Sequence, residues 1–336
     1  MKSQALKNSS FALGAGILIS ALILLFHSQN PGEAVADFIT GSFTSSYYLG
    51  ILLNTAVLLA CAGAGEAVAL KSGNLNLGGE GQIYAGGFTA AAVSVKFAAL
   101  PPPLAVAAAM TASMAVSGSL ALLSALLREF KKVNVLLTSF LISAAVIPFL
   151  DSLIAGPFRD KAGNLLATVP VPEAQRFSQI LPPSPLTLTA AVAPFLCAAV
   201  WFAMYHTAPG RRLQIWGTAP EFARYCGYSE HKAVCLSLAV SGALHGLTGF
   251  FAVYGTYYTC HSGFYAGMGW NALSCALIAH SNPAALIPSA LILSWLFTSA
   301  DRVSLIQNFG FDISGFLQGT VLFCISVNLI ARRRRT

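Results

Sequence analysis

Glu66, Asn74, Asn76, Glu80 and Gln82 lie close together in a stretch that is otherwise apolar or glycine. Carboxylates and amides at this spacing can exchange hydrogen bonds with a polar solute or with one another. Most of them sit in residues 73–88, GNLNLGGEGQIYAGGF, between an apolar run at 49–70 and another at 82–100. Glycine-rich backbone makes a poor helix, and a carboxylate in or beside lipid is costly. A membrane chain tolerates such a segment where protein covers it or where it lines a wet cavity. The segment therefore points to a pathway for a solute. Glu80 also has a structural reading, as an acceptor for the bare backbone of its own glycine-rich turn.

A weaker echo lies in the second half, in the glycine-rich, interrupted stretch 263–283. Paired interrupted segments point to a binding site near the bilayer midplane. Tyr257, Tyr258, Tyr265, Trp270 and Asn271 stand in or near that stretch. Aromatic faces there can stack on a flat ring while Asn271 pairs with ring edges. The same residue types also populate membrane-interface belts. His245, among the small residues of Ser241–Gly246, reads as a buried, hydrogen-bonded histidine on a closely packed helix.

The elements that must position these residues are membrane spans. The chain is 56% hydrophobic and 9% charged, with mean hydropathy +0.69. Soluble domains carry roughly 25% charge. The fold expected is all-α and polytopic. About ten transmembrane helices fall at 11–27, 49–70, 82–100, 104–127, 133–155, 187–206, 233–255, 268–281, 284–300 and 313–331. Interrupted or short segments lie near 73–88 and 268–300, with a break at Asn282-Pro283. Residues 1–36 mimic a signal peptide, but Ala34-Val35-Ala36 lies well past the apolar stretch, which favours an uncleaved first span. The whole chain, 1–336, reads as one membrane domain with an outer loop at 157–186, an inner loop at 207–232 and a basic tail at 331–336.

The net charge of +7 does not indicate a nucleic-acid partner, because the basic residues cluster at the ends of apolar runs. With both termini in the cytoplasm of an inner-membrane protein, Lys2, Lys7, Lys71, Arg128, Lys131, Lys132, Arg211, Arg212, Arg224, Lys232 and Arg332 through Arg335 fall inside. Lys96, Arg159, Lys161, Arg176 and Arg302 fall outside, as the positive-inside rule requires. The seven cysteines form no CxxC and the six histidines no HxxxH, so neither a metal site nor a cofactor is expected.

Four motifs, in order, resemble permease subunits of ABC importers from the branched-chain amino acid, simple sugar and nucleoside superfamily. Gly73, Asn76, Leu77, Gly78, Glu80, Gly81 and Gln82 match G-x-x-N-(hydrophobic)-G-x-E-G-Q of the nucleoside-type branch, and Glu66 fits the pattern before it. Gly210, Gly217, Ala223 and Gly227 match the inner-loop motif, although Gln214-Ile215 and Ala219 depart from it. Residues 241–249, SGALHGLTG, and 280–283, HSNP, supply the others. After the first-half inner loop, Asn134 and Thr138 are kept while Val135 and Ser139 depart.

The resemblance implies a translocation pathway for a small solute, with nucleosides ranked first, then riboflavin-like molecules, then simple sugars. It implies a second permease subunit (same or similar), ABC ATPase subunits inside, an extracytoplasmic solute-binding protein outside, and membrane lipid around. Asp151 and Arg159-Asp160-Lys161 would shape the outer docking surface. In this family a short helix of the inner loop docks on the ATPase, which assigns that role to Gly217, Glu221, Phe222, Ala223, Arg224, Tyr225 and Gly227. The residues suit it. Thr218 can cap a helix, Pro220 fits a first turn, Glu221 complements the helix dipole, and Gly227 ends the helix. Phe222, Tyr225 and Cys226 recur on one apolar face.

No Walker A sequence is present, so ATP hydrolysis is expected from a separate subunit and no residue is catalytic. An ion-coupled secondary transporter is the competing class, but it would show more charge deep in its spans. An intramembrane enzyme lacks its HExxH or GxSG signature here.

Overall fold

The computed structural model describes the backbone of residues 2–28, 30–307 and 312–333, and the side chains of 13–26, 28, 30–307 and 312–324. The expectations for Lys2, Lys7 and the basic tail at 331–336 concern side chains outside the described residues. The described chain is helical, with three isolated β-bridges and no extended sheet.

The helices are α1 (Lys2–His27), α2 (Pro31–Thr40), α3 (Ser46–Lys71), α4 (Gly79–Lys96), α5 (Pro102–Lys131), α6 (Val135–Ala155), α7 (Thr189–His206), α8 (Ala208–Thr218), α9 (Pro220–Tyr225), α10 (Glu230–Phe251), α11 (Met268–Ile278), α12 (Leu286–Ile306) and α13 (Ile313–Arg333). A π-helical stretch, Ala252–Tyr257, continues α10. Every apolar run expected to span carries a helix. Among the described residues, however, six helices are long and apolar enough to cross a membrane: α3, α5, α6, α7, α10 with its π extension, and α12 with its 3-10 entry turn. In α1, α11 and α13 the apolar stretches are shorter. The third run, 82–100, is displaced. Its helix begins at Gly79 and ends at Lys96, so Glu80 and Gln82 lie in a helical first turn. The expected poor helix over 73–88 is confined to the turn at 72–78, where Gly73 has φ +78°.

α3 and α10 are the most buried of the six long spans, whereas α5, α6 and α7 turn most of their surface outward. The centre is built on small residues. A Cβ on Gly86 of α4 would meet the backbone of Gly246 on α10, and one on Gly249 would meet Ile83 O. On the other side of α10, Gly242 and Gly246 face Ser117 and Ser113 of α5. Without side chains between them the backbones approach closely, which is how helices associate in lipid. Gly246→Val would force α10 off both neighbours, and overpacking of this kind costs about 1–3 kcal/mol or more. The expected result is a lower melting temperature and a reduced yield of monodisperse protein in detergent; unchanged melting would rule out this packing.

The loop expected outside, 157–186, is folded down onto the chain after α10. Thr168 N donates to Cys260 O (3.0 Å), Val171 N to Tyr258 O (2.8 Å) and Phe177 N to Tyr254 O (3.0 Å). Phe177 packs on Phe250 and Tyr254. Asp151 differs from its expected place on an outer docking surface. It accepts from Tyr84 Oη (2.5 Å) and Ser262 Oγ (2.7 Å), because a carboxylate at a helix end takes whatever donors the packed neighbours offer. Arg159 and Lys161 are exposed.

The loop expected inside, 207–232, is mostly helix, in α8, α9 and the start of α10. Thr218 does not cap α9. It ends α8, its hydroxyl bonding back to Gln214 O (2.8 Å), and the N-cap position falls to Ala219. Pro220 already fixes the first-turn geometry, so the side-chain cap is dispensable.

Candidate functional site

The turn at 72–78 rises back into the protein before α4 begins. Ser117 Oγ donates to Gln82 O at 2.6 Å, and Ser117 stands near the middle of the 30-residue α5. At about 1.5 Å per residue, that is roughly 21–23 Å from either end of the helix. The amino terminus of α4 is therefore at mid-depth of the bundle. The amino terminus of α11 meets it there. Glu80 Oε1 accepts from Gly269 N (2.8 Å) and Trp270 N (3.2 Å), so Glu80 caps α11. This differs from the expected use of Glu80 within its own turn. Gly79 and Gly269 touch backbone to backbone, which brings the carboxylate of one break onto the bare donors of the other.

Below this junction the amides form a closed network. Asn76 Nδ2 donates to Gln82 Oε1 and to Ser241 Oγ, both at 2.9 Å. Its Oδ1 accepts from Gly78 N and Gln82 Nε2, both at 3.0 Å. Gln82 Oε1 is 2.8 Å from His245 Nδ1, and His245 Nε2 is 3.4 Å from the fully buried Glu66 Oε1. Ser143 Oγ accepts from Gly81 N (2.7 Å) and Ser139 Oγ from Leu77 N (3.0 Å), tying the turn to α6. The structure thus joins Glu66, Asn76 and Gln82 and adds His245, Ser241, Ser143 and Ser139.

Asn74 belongs to a second chain that leads to the surface. Its Nδ2 donates to Ser237 Oγ (2.9 Å), and its Oδ1 accepts from Arg128 Nη1 (2.9 Å). Arg128 Nη2 pairs with Glu230 (2.9 Å), Glu230 with Arg224 (2.9 Å), and Arg224 with Glu221 on α9 (2.7 Å). Sequence reading took Arg128 only as a topology charge and did not single out Glu230. A basic residue at a helix end carries the same local signal whether it faces solvent or a buried amide.

α9 itself presents Phe222 (56% exposed) and Tyr225 (92% exposed) outward, with Glu221, Arg224 and Gly227 also exposed. Two of the residues expected on this docking face point elsewhere. Ala223 is buried, and Gly217 lies against the turn after α3: a Cβ there would overlap Lys71 O and Gly73 N. Both are small because they lie at the contact of the inner loop with the bundle.

A small cleft that encloses about 10 Å³, room for about one water, lies beside the mid-depth junction, lined by Asn76, Leu77, Gly79, Glu80, Gly269, Trp270 and Leu273. Of the aromatic candidates, Trp270 alone lines it. Tyr265 is packed on Tyr84, Tyr257 on His261 and Phe264, and Tyr258 beneath Arg176. Asn271 is buried on α11 outside the cleft lining. No cluster of three metal-ligating side chains occurs among the described residues.

A sequence profile described as the permease component of the branched-chain amino acid transport system matches residues 48–326. The chain belongs to this family. The permease is 36% identical over 323 residues to a probable riboflavin import permease protein of Treponema pallidum (strain Nichols), covering 95% of this chain and 85% of that one. It is 24% identical to a guanosine ABC transporter permease protein of Bacillus subtilis (strain 168), covering 85% and 82%. It is 26% identical to a glucose ABC transporter permease protein of Haloferax volcanii, covering 95% and 87%. The permease is thus a multi-pass membrane subunit of ABC-importer type.

Proposed function

We propose that this permease forms the solute path of an ABC importer for a planar heteroaromatic solute, riboflavin before guanosine. The resemblance at 73–88 taken alone ranks nucleosides first. The higher identity and coverage of the riboflavin-related permease favour riboflavin, and glucose stays the alternative. The chain crosses the membrane about ten times with both termini inside. It pairs with a second permease subunit, takes solute from an extracytoplasmic binding protein and is driven by ATPase subunits docked on α9.

The observation that carries this reading is the polar chain from the exposed face of α9 to Asn74, in the turn that leads up to the mid-depth break. It runs Glu221, Arg224, Glu230, Arg128, Asn74. An ATPase that pulls on α9 would reach the turn before α4 through these pairs. At the same contact Gly217 touches Gly73, so α8 and the turn move together. A secondary transporter has no use for such a link to an exposed inner helix.

Reconstitution with the ATPase and binding protein in liposomes tests the proposal. Riboflavin uptake is expected to require ATP and to survive a proton uncoupler; the reverse pattern would assign the chain to the secondary transporters. Arg128→Glu tests the link itself. Its pair with Glu230 is about one-third exposed on both sides, so losing that pair costs no more than about 1 kcal/mol, and the donor lost to the buried Asn74 Oδ1 adds about 1–3 kcal/mol. Uptake is expected to fall about tenfold, with partial recovery in the Arg128→Glu/Glu230→Arg double variant. Normal uptake by the single variant would remove these residues from the coupling route.

A further inference from the structure

We infer that Glu66 and His245 hold one proton between them, and that this proton sets the direction of the amide network at the mid-depth break. Both side chains are positioning residues for Gln82 and Asn76. A backbone amide fixes the direction. Gly78 N can only donate, and it points at Asn76 Oδ1 (3.0 Å). The other end of the Asn76 amide is therefore Nδ2, which donates to Gln82 Oε1 and to Ser241 Oγ, both at 2.9 Å. Gln82 Nε2 returns a bond to Asn76 Oδ1 (3.0 Å), so the Gln82 amide cannot be turned over either. Gln82 Oε1 accepts only, and it lies 2.8 Å from His245 Nδ1. His245 Nδ1 must therefore carry a proton.

The other ring nitrogen meets Glu66. His245 Nε2 is 3.4 Å from Glu66 Oε1, and both side chains are buried. Nε2 and the two carboxyl oxygens otherwise lack hydrogen-bonding side chains. The Ala62 carbonyl, one turn earlier on α3, also faces the histidine, and it cannot donate. Among the described residues no lysine or arginine pairs with Glu66. With Nδ1 already protonated, three counts remain for Nε2 and the carboxyl. No proton leaves a buried negative charge facing a lone pair. Two protons leave a buried positive charge with donor against donor. One proton makes the pair neutral overall and sets a donor against an acceptor, whichever residue holds it. An uncompensated buried charge is far costlier than that. Glu66 and His245 therefore act as one neutral unit, which clasps α3 to α10 and aims Nδ1–H at Gln82. Through Gln82 and Asn76 the unit holds Gly78, where the turn ends and α4 begins. Asn74, the inner end of the chain from α9, lies in the same turn.

Two spectra of the full-length permease read the proton. In NMR on ring-labelled histidine, the His245 signal, assigned by its loss in His245→Asn, should show a protonated Nδ1. Infrared spectroscopy locates the second proton. If Nε2 is bare, Glu66 should give a carboxylic-acid C=O band that disappears in Glu66→Gln; if Nε2 is protonated, Glu66 should give none. An unprotonated Nδ1 would overturn the inference. So would a bare Nε2 without the acid band, or a protonated Nε2 with it. Riboflavin uptake by the reconstituted transporter tests the positioning, and this arm rests on the reading of the chain as an importer. The amide of Glu66→Gln can still donate to Nε2, whereas Glu66→Leu cannot. Uptake is expected to be about tenfold higher in Glu66→Gln than in Glu66→Leu. His245→Asn keeps an N–H for Gln82 but strands the Glu66 carboxyl. Adding Glu66→Leu removes that carboxyl, and the double variant should exceed His245→Asn alone. Glu66→Gln no better than Glu66→Leu, or a double variant no better than His245→Asn, would overturn the positioning role. A wild type that carries no riboflavin with ATP would overturn the functional reading instead, and the spectra would still decide the shared proton.

Discussion

Gly217→Ala is expected to cut ATP-driven uptake by about tenfold or more while the protein still inserts and assembles. A Cβ at this position would overlap Lys71 O and the amide of Gly73, so even one methyl group pushes α8 away from the turn before α4. Overpacking of this kind costs about 1–3 kcal/mol, and each 1.4 kcal/mol is about a factor of ten. Gly217 lies near one end of the bundle, so the strain is relieved by displacing α8 rather than by unfolding the core. ATP hydrolysis by the docked ATPase should continue, now poorly linked to transport. Gly217→Asp, with a larger and charged side chain, should abolish uptake. Proteoliposomes in which both variants pump like the wild type would show that this contact carries no coupling.

The second large effect concerns what α9 shows to its partner. Phe222 and Tyr225 are exposed apolar side chains on a helix that ends at Tyr225, just before Gly227, where φ is +73°. Aromatic anchors that fill a pocket across an interface account for at least about 2 kcal/mol each when truncated. The Phe222→Asp/Tyr225→Asp double variant is expected to lose the ATPase subunit on co-purification, a weakening of about a hundredfold or more. Its own melting should be unchanged, because neither ring is buried within the chain. A variant that still retains its ATPase would place the docking surface elsewhere. The two experiments separate the tasks: Phe222 and Tyr225 hold the motor, whereas Gly217 passes its movement inward.

Much of this was legible in the residues. The low charge and the long apolar runs specify an all-helical membrane chain, because lipid offers backbone groups no partner outside a helix. The glycines of 73–88 and Asn282-Pro283 mark the breaks, since both are local effects of backbone freedom and ring constraint. Asn282 caps the turn at Pro283 as its type suggests, accepting from Ala284 N. Pro220 at the start of α9 and Gly227 at its end are likewise read from neighbours in the chain.

Tertiary packing decided the partners. Glu80 has a glycine-rich turn of its own, yet it caps a helix 189 residues away because Gly79 and Gly269 let two backbones touch. Arg128 resembles every other basic residue at a helix end, and only the placement of Asn74 and Glu230 makes it a link. Gly217 and Ala223 belong to the same motif as Tyr225 but face the opposite way. Propensity, hydropathy and capping act over a few residues and can be read along the chain. A donor finds its acceptor through helices that pack at a distance set by small residues, and that geometry exists only once the bundle has formed.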